Sequence, residues 1–135
     1  MAVLLVDVAN VVGARPDGWW RDRAGAAGRL LDRLAALRGS TVPGPDGRPL
    51  PCEAVVAVVE GQARDVPAPE GVRVVSAADS GDDALVTEAA ALVAGGRAVL
   101  AVTADRGLRA RLPAGVAVIG PGRLLARLDE LPATD

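Results

Sequence analysis

The chain is predicted to adopt an α/β fold, with a five-stranded parallel sheet covered by helices on both faces. Three observations predict it. Short unbroken aliphatic runs such as Ala2-Val3-Leu4-Leu5-Val6 have the length and composition of strands buried on both sides. Between such runs lie segments whose apolar residues recur at helical spacing. Gly and Pro punctuate the junctions, where the chain has to turn. Strands alternating with helices build a parallel sheet through right-handed crossovers. With 135 residues the chain has the length of one domain, and residues 1–135 are read as one.

Taken in order, Ala2 to Val6 is the first strand. Trp20 to Arg38 reads as a helix, with Leu30, Leu31, Leu34 and Leu37 on one side and Arg29, Asp32, Arg33 and Arg38 on the other. Gly39 ends it. Residues 39–53 are rich in Pro and Gly and contain the turn signal Pro45-Asp46-Gly47, so they form a loop or a projecting hairpin. Ala54 to Val59 is the second strand and Val72 to Val75 the third, joined by a polar segment with room for at most one helical turn. Asp82 to Ala94 is a helix closed by Gly95-Gly96, and Ala98 to Val102 is the fourth strand. A short helix from Asp105 stops at Pro113, Val116 to Ile119 is the fifth strand, and Gly122 to Leu131 a last helix. With the first strand central, the expected order is 3-2-1-4-5.

Composition narrows the chemistry. The chain contains no His and no Lys, and a single Cys52. That excludes a Ser-His-Asp triad, a Schiff-base or phosphate-loop lysine, a disulfide framework and a Cys- or His-based zinc site. An enzyme built from these residues has to work through carboxylates. The formal charge is −2, which gives no electrostatic case for coating DNA or an anionic membrane. The apolar run at the N-terminus stops at Asp7, too short for a signal peptide or membrane span, so the expected location is cytoplasmic, without membrane association.

Ligands of open parallel sheets bind beyond the carboxyl ends of the strands, where strand order reverses. In order 3-2-1-4-5 that point lies between strands one and four, which end in Asp7 and, after Val102-Thr103-Ala104, in Asp105. The bland alternative is that both acids cap helices. That reading suits Asp105, which a helix follows directly, better than Asp7, because the next helix is expected only near Trp20. Asp82 and Asp83 open the helix that enters at the same edge, where they also complement its dipole by about 0.3–1 kcal/mol each. Glu60, at the end of strand two, and Glu88, further along the helix, are candidates for a supporting role. Crowded carboxylates repel unless a cation neutralises them, and oxygen-only donors suit Mg²⁺ or Mn²⁺. Phosphodiester hydrolysis is the reaction class that follows.

These motifs resemble the PIN-like nuclease superfamily, in particular its NYN branch. Asp7-Val8-Ala9-Asn10-Val11-Val12-Gly13 resembles the branch's opening segment, Val59-Glu60-Gly61 its apolar-Asp-Gly turn, Asp82-Asp83-Ala84-Leu85 its acidic helix start, and Val102-Thr103-Ala104-Asp105-Arg106 its Thr-Ser-Asp segment. The similarity runs in order over most of the chain. Two departures are Ala104, where a small polar residue is usual, and the lack of a broad basic surface. The resemblance implies a three-layer domain and a metal-dependent ribonuclease. It places Asp7, Asp82 and Asp105 on the metal, with Asp83 able to substitute. Asn10 would orient the scissile phosphate or water, and Thr103 would support Asp7 or contact phosphate.

Arg15, Arg21, Arg106 and Arg109 start near this edge and are candidates to hold RNA phosphates, against a reading as solvated helix surface. Of the pair Trp19-Trp20, the chain's only aromatic residues, one is read as a core anchor and the other, assigned to Trp20, as a base-stacking or homodimer contact. The alternatives to an RNA endonuclease are a non-catalytic RNA- or protein-binding module and a hydrolase of small phosphoesters or nucleotides.

Overall fold

The computed structural model describes residues 1–63 and 65–132. Strand β1 (Ala2–Asp7) sits at the centre of the sheet and pairs in parallel with β3 (Pro49–Val59) on one side and β5 (Val99–Val102) on the other. Parallel strands β4 (Val72–Ser76) and β6 (Ala117–Ile119) flank these. The registers line up Val72, Val55, Leu4, Leu100 and Ala117 in one row. The pairings match the parallel part of the expected order and correct it in one respect: the sheet is not purely parallel. Strand β2 (Thr41–Pro43) runs antiparallel to the first residues of β3.

This hairpin is the Pro- and Gly-rich segment. Gly47 sits at φ 82°, the left-handed conformation that closes the turn, and Asp46 accepts the Arg48 N–H at 2.9 Å. Pro43, Pro49 and Pro51 are tolerated because the hairpin lies at an edge, where missing N–H donors break few ladder bonds. Those prolines also hide the true start of β3, which begins five residues before the aliphatic run expected as the strand.

The sheet separates two cores, as its two-residue alternation requires. Ala2, Leu4 and Val6 face one core, against Val8 and Val11 of α1 (Val8–Val12), Leu30, Leu31 and Leu34 of α2 (Arg23–Leu34), and Leu124 and Leu128 of α5 (Pro121–Glu130). Val3 and Leu5 face the other, against Leu85 and Ala89 of α3 (Gly81–Ala94) and Leu108 of α4 (Arg106–Arg111). The first predicted helix is broken up: a 3₁₀ turn at Trp19–Arg21 precedes α2, and another at Ala35–Leu37 follows it. Among the described residues no helix is long and apolar enough to cross a membrane.

Helix α1 corrects the expectation that the next helix begins only near Trp20. Its sequence, Val-Ala-Asn-Val-Val, is rich in β-branched residues and poor in helix propensity. The turn is held from outside: Val8 and Val11, three residues apart, both bury into the core. Asp7 caps it, accepting the Asn10 N–H at 3.4 Å.

Candidate active site

Val6 pairs with Val102, so the next residues, Asp7 and Thr103, leave adjacent strands side by side. Asp7 is 7% exposed and Thr103 1%, the buried polar residues among the described ones. The Thr103 hydroxyl donates to Asp7 Oδ2 at 3.0 Å and accepts the Asp105 backbone N–H at 3.2 Å. One hydroxyl therefore ties both acidic strand ends together. Asn10, one turn into α1, closes the same gap: its Oδ1 accepts the Ala104 N–H at 2.8 Å.

Burial is the main reason the Asp7 carboxyl is pushed up to about 6, opposed by the hydrogen bonds from Thr103 and Asn10 and reinforced by the charges of Asp82 and Glu60. The Asp82 carboxyl is also raised, first by burial and then by Asp105 and Glu60, with Arg111 acting in the opposite sense. Asp7 thus feels the charges of Asp82 and Glu60, and Asp82 those of Asp105, Glu60 and Asp83, across the end of the sheet. Among the described residues, however, no three Asp, Glu or Cys side chains stand close enough to hold one metal ion.

The remaining acids divide. Glu60 reaches the start of α3, where its Oε2 accepts the Gly81 N–H. It serves as the cap of α3, since Ser80, in the N-cap position, makes no side-chain cap bond. A Cβ on Gly81 would lie 2.7 Å from Glu60 Oε2, so a larger residue there would displace the end of that side chain. Asp83 pairs with Arg111 of α4 at 2.5 Å, and Glu88 with Arg73 of β4. Those pairings engage both acids with cations, although the charge of Asp83 still adds to the rise at Asp82. Asp105 is exposed and accepts the Leu108 N–H at 3.0 Å, capping α4.

Of the arginines, Arg15 is engaged by Asp129 of α5 at 2.6 Å, and Arg21 lies over the Trp20 ring at 5.8 Å. Arg106 and Arg109 extend from α4 as exposed side chains directly after Asp105. Trp20 is 53% exposed, whereas half-buried Trp19 lines a cavity of about 340 Å³ whose wall includes Glu60. Trp20, the ring expected to make the outward contact, is the exposed one of the pair. Each ring carries a guanidinium, Arg23 of α2 over Trp19 at 5.5 Å as Arg21 over Trp20, and the two rings meet edge to face at 6.1 Å.

A mutant of Rae1 (YacP) from Bacillus subtilis has a crystal structure of similar fold, with a TM-score of 0.67 at 19% identity over 96% of this chain and 76% of that one. At that identity the likeness speaks for the fold. No protein-family model matches the chain, and no curated protein matches it.

Proposed function

We propose that this domain is a divalent-metal-dependent phosphodiesterase that cuts RNA at the carboxyl edge of its sheet. The observation that carries the reading is the group Asp7, Asp82, Asp105 and Glu60 at one edge of the sheet, where burial and the charges of Asp82 and Glu60 raise the Asp7 carboxyl, and burial and the charges of Asp105 and Glu60 raise that of Asp82. Capping accounts for Asp105 and for part of Asp7. It does not account for Asp82, whose neighbours raise its carboxyl further. The donor set fits a hard cation in kind, being carboxylate only. In spacing the acids are gathered without being closed around a point.

Asp7, Asp82 and Asp105 are the residues that would hold Mg²⁺ or Mn²⁺. Such an ion would neutralise the charge developing on the scissile phosphate and acidify the attacking water. Thr103 fixes the Asp7 carboxylate and ties it to the Asp105 backbone. Asn10 uses its carbonyl oxygen on Ala104, which leaves its amide N–H groups to donate to a phosphate oxygen. Arg106 and Arg109 supply guanidinium forks for neighbouring phosphates.

Cleavage of a mixed, end-labelled RNA pool tests this, with Mg²⁺, Mn²⁺ or chelator and an Asp7→Asn/Asp105→Asn double variant alongside. Cutting that needs the metal and disappears in the variant is the expected outcome. Equal cutting by both proteins would sink the assignment. The open spacing of the acids favours a second reading, a binding module without catalysis. RNA retained without metal, cut by neither protein, would select it.

A further inference from the structure

The geometry points to a nucleobase subsite beside the acidic edge, formed by the cavity between α1, Trp19 and the end of β3 and selective for guanine. It deepens the reading above and rests on it for RNA as the source of the base. The cavity holds about 340 Å³, near the lower end of the about 300–1,000 Å³ usual for small-ligand sites. That is room for one base with its sugar and not for a stacked pair. Its walls adjoin the proposed chemistry directly: Val8 follows Asp7 in the chain, and Glu60 closes the far side.

Two features of the lining match a flat heteroaromatic ring: Val8 and Val12 give apolar surface, and the Trp19 indole a π-surface. Among side chains at the wall, Glu60 and Asp79 are acceptors, Arg23 is a donor, and the Ser80 hydroxyl can do either. Guanine fits that pattern: its ring N–H and amino group offer two adjacent donors to one carboxylate, and its O6 and N7 accept from a guanidinium. Adenine and cytosine offer an amino group without the adjacent ring donor. Uracil offers one ring N–H. Glu60 is also anchored, since Gly81 holds its Oε2, so the acceptor is positioned before the base arrives.

Trp19 makes the test direct, because the chain has no Tyr and its other Trp is exposed. In a Trp20→Phe variant, Trp19 fluorescence is titrated with guanosine, adenosine, cytidine and uridine in chelator, so that neither metal nor cleavage enters. Guanosine should quench saturably, about tenfold or more tighter than the other three, as one bidentate contact supplies. Glu60→Gln keeps an oxygen for the Gly81 N–H, with folding checked by circular dichroism. It should abolish the preference while leaving uridine binding within about twofold, which loss of a helix cap alone would not do. Absence of saturable quenching, equal affinity for all four nucleosides, or an unchanged preference in Glu60→Gln would each overturn the subsite. Guanosine binding by a protein that leaves RNA intact with metal present would count against the phosphodiesterase and uphold the subsite. Metal-dependent RNA cleavage without guanosine binding would do the reverse.

Discussion

Strands β1 and β5 lie side by side, and each ends in an aspartate that caps the helix after it. The two ends share a local device and differ in setting. Asp105 is exposed and holds the Leu108 N–H at 3.0 Å, a well-formed cap. Asp7 is 7% exposed, holds the Asn10 N–H at a longer 3.4 Å, and relies on Thr103 for its other oxygen. The central strand buries its terminal acid under α1, while the neighbouring strand delivers its acid to solvent. A cap alone calls for the second arrangement. Burying a charge at the first is costly unless something compensates it. The difference sets Asp7 apart as the acid whose burial a cap does not explain, and Asp105 as one that combines capping with an accessible carboxylate.

The largest expected effect breaks the comparison at the buried end. Asp7→Asn should lower metal-dependent RNA cleavage by at least about a hundredfold, beyond the about 10–100-fold typical of residues that merely support a ligand. Single-turnover cleavage at saturating Mn²⁺ measures it, and a loss under threefold would remove Asp7 from the site. Thr103→Val, which cuts the tie between the two ends, comes next. It leaves Asp7 Oδ2 buried without its donor and should cost about 1–3 kcal/mol of stability in urea unfolding. Thr103→Ser should recover most of that loss. A Val variant as stable as the parent would show the tie to be incidental.

Asp7→Asn also sharpens the contrast through pH. The folded-state carboxyl lies at about 6 against an ordinary 3.8, so the folded protein binds this proton more tightly than the unfolded chain. That contribution to stability is fully present below about pH 3.8 and is lost as pH rises through 6. Its loss amounts to about 3 kcal/mol at most, and because an amide has one accepting oxygen where Asp7 uses two, for Asn10 and Thr103, the substitution gives back about 1 kcal/mol. In chelator at pH 8 the variant should therefore be more stable than the parent by about 1–2 kcal/mol, several degrees in Tm, with the gain gone at pH 4. Thermal scans at both pH values check this, and an equal shift at both would remove ionisation as the cause. The smallest effect belongs to the exposed end: Asp105→Asn should change stability by less than about 0.5 kcal/mol at either pH, because Asn caps as well as Asp. A larger change in urea unfolding would mean that its charge, and not its cap, supports the fold.

Much of the fold was legible because its signals are local. Each aliphatic run of the parallel sheet is a strand, and Pro45-Asp46-Gly47 turns as its residue types demand. Asp7, Asp105 and Thr103 stood out because strand ends at a reversal of order are where groups converge. Helix α1 did not, because its residues disfavour the conformation that core packing imposes on them. Glu88 and Asp83 read as candidates on spacing, and Arg73 and Arg111, far off in the chain, engaged them.

The sequence by itself determined the alternation of strands and helices, the restriction to carboxylate chemistry, and the acids placed at the strand ends. These depend on residue type and on periods of two to four residues. Only the tertiary structure decided which acids share a field, that Glu60 caps a helix 21 residues away, that Thr103 reaches across 96 residues to Asp7, and that Trp19 rather than Trp20 lines the cavity. Those outcomes depend on distances between distant parts of the chain. Burial and electrostatic coupling arise only when the sheet brings such parts together.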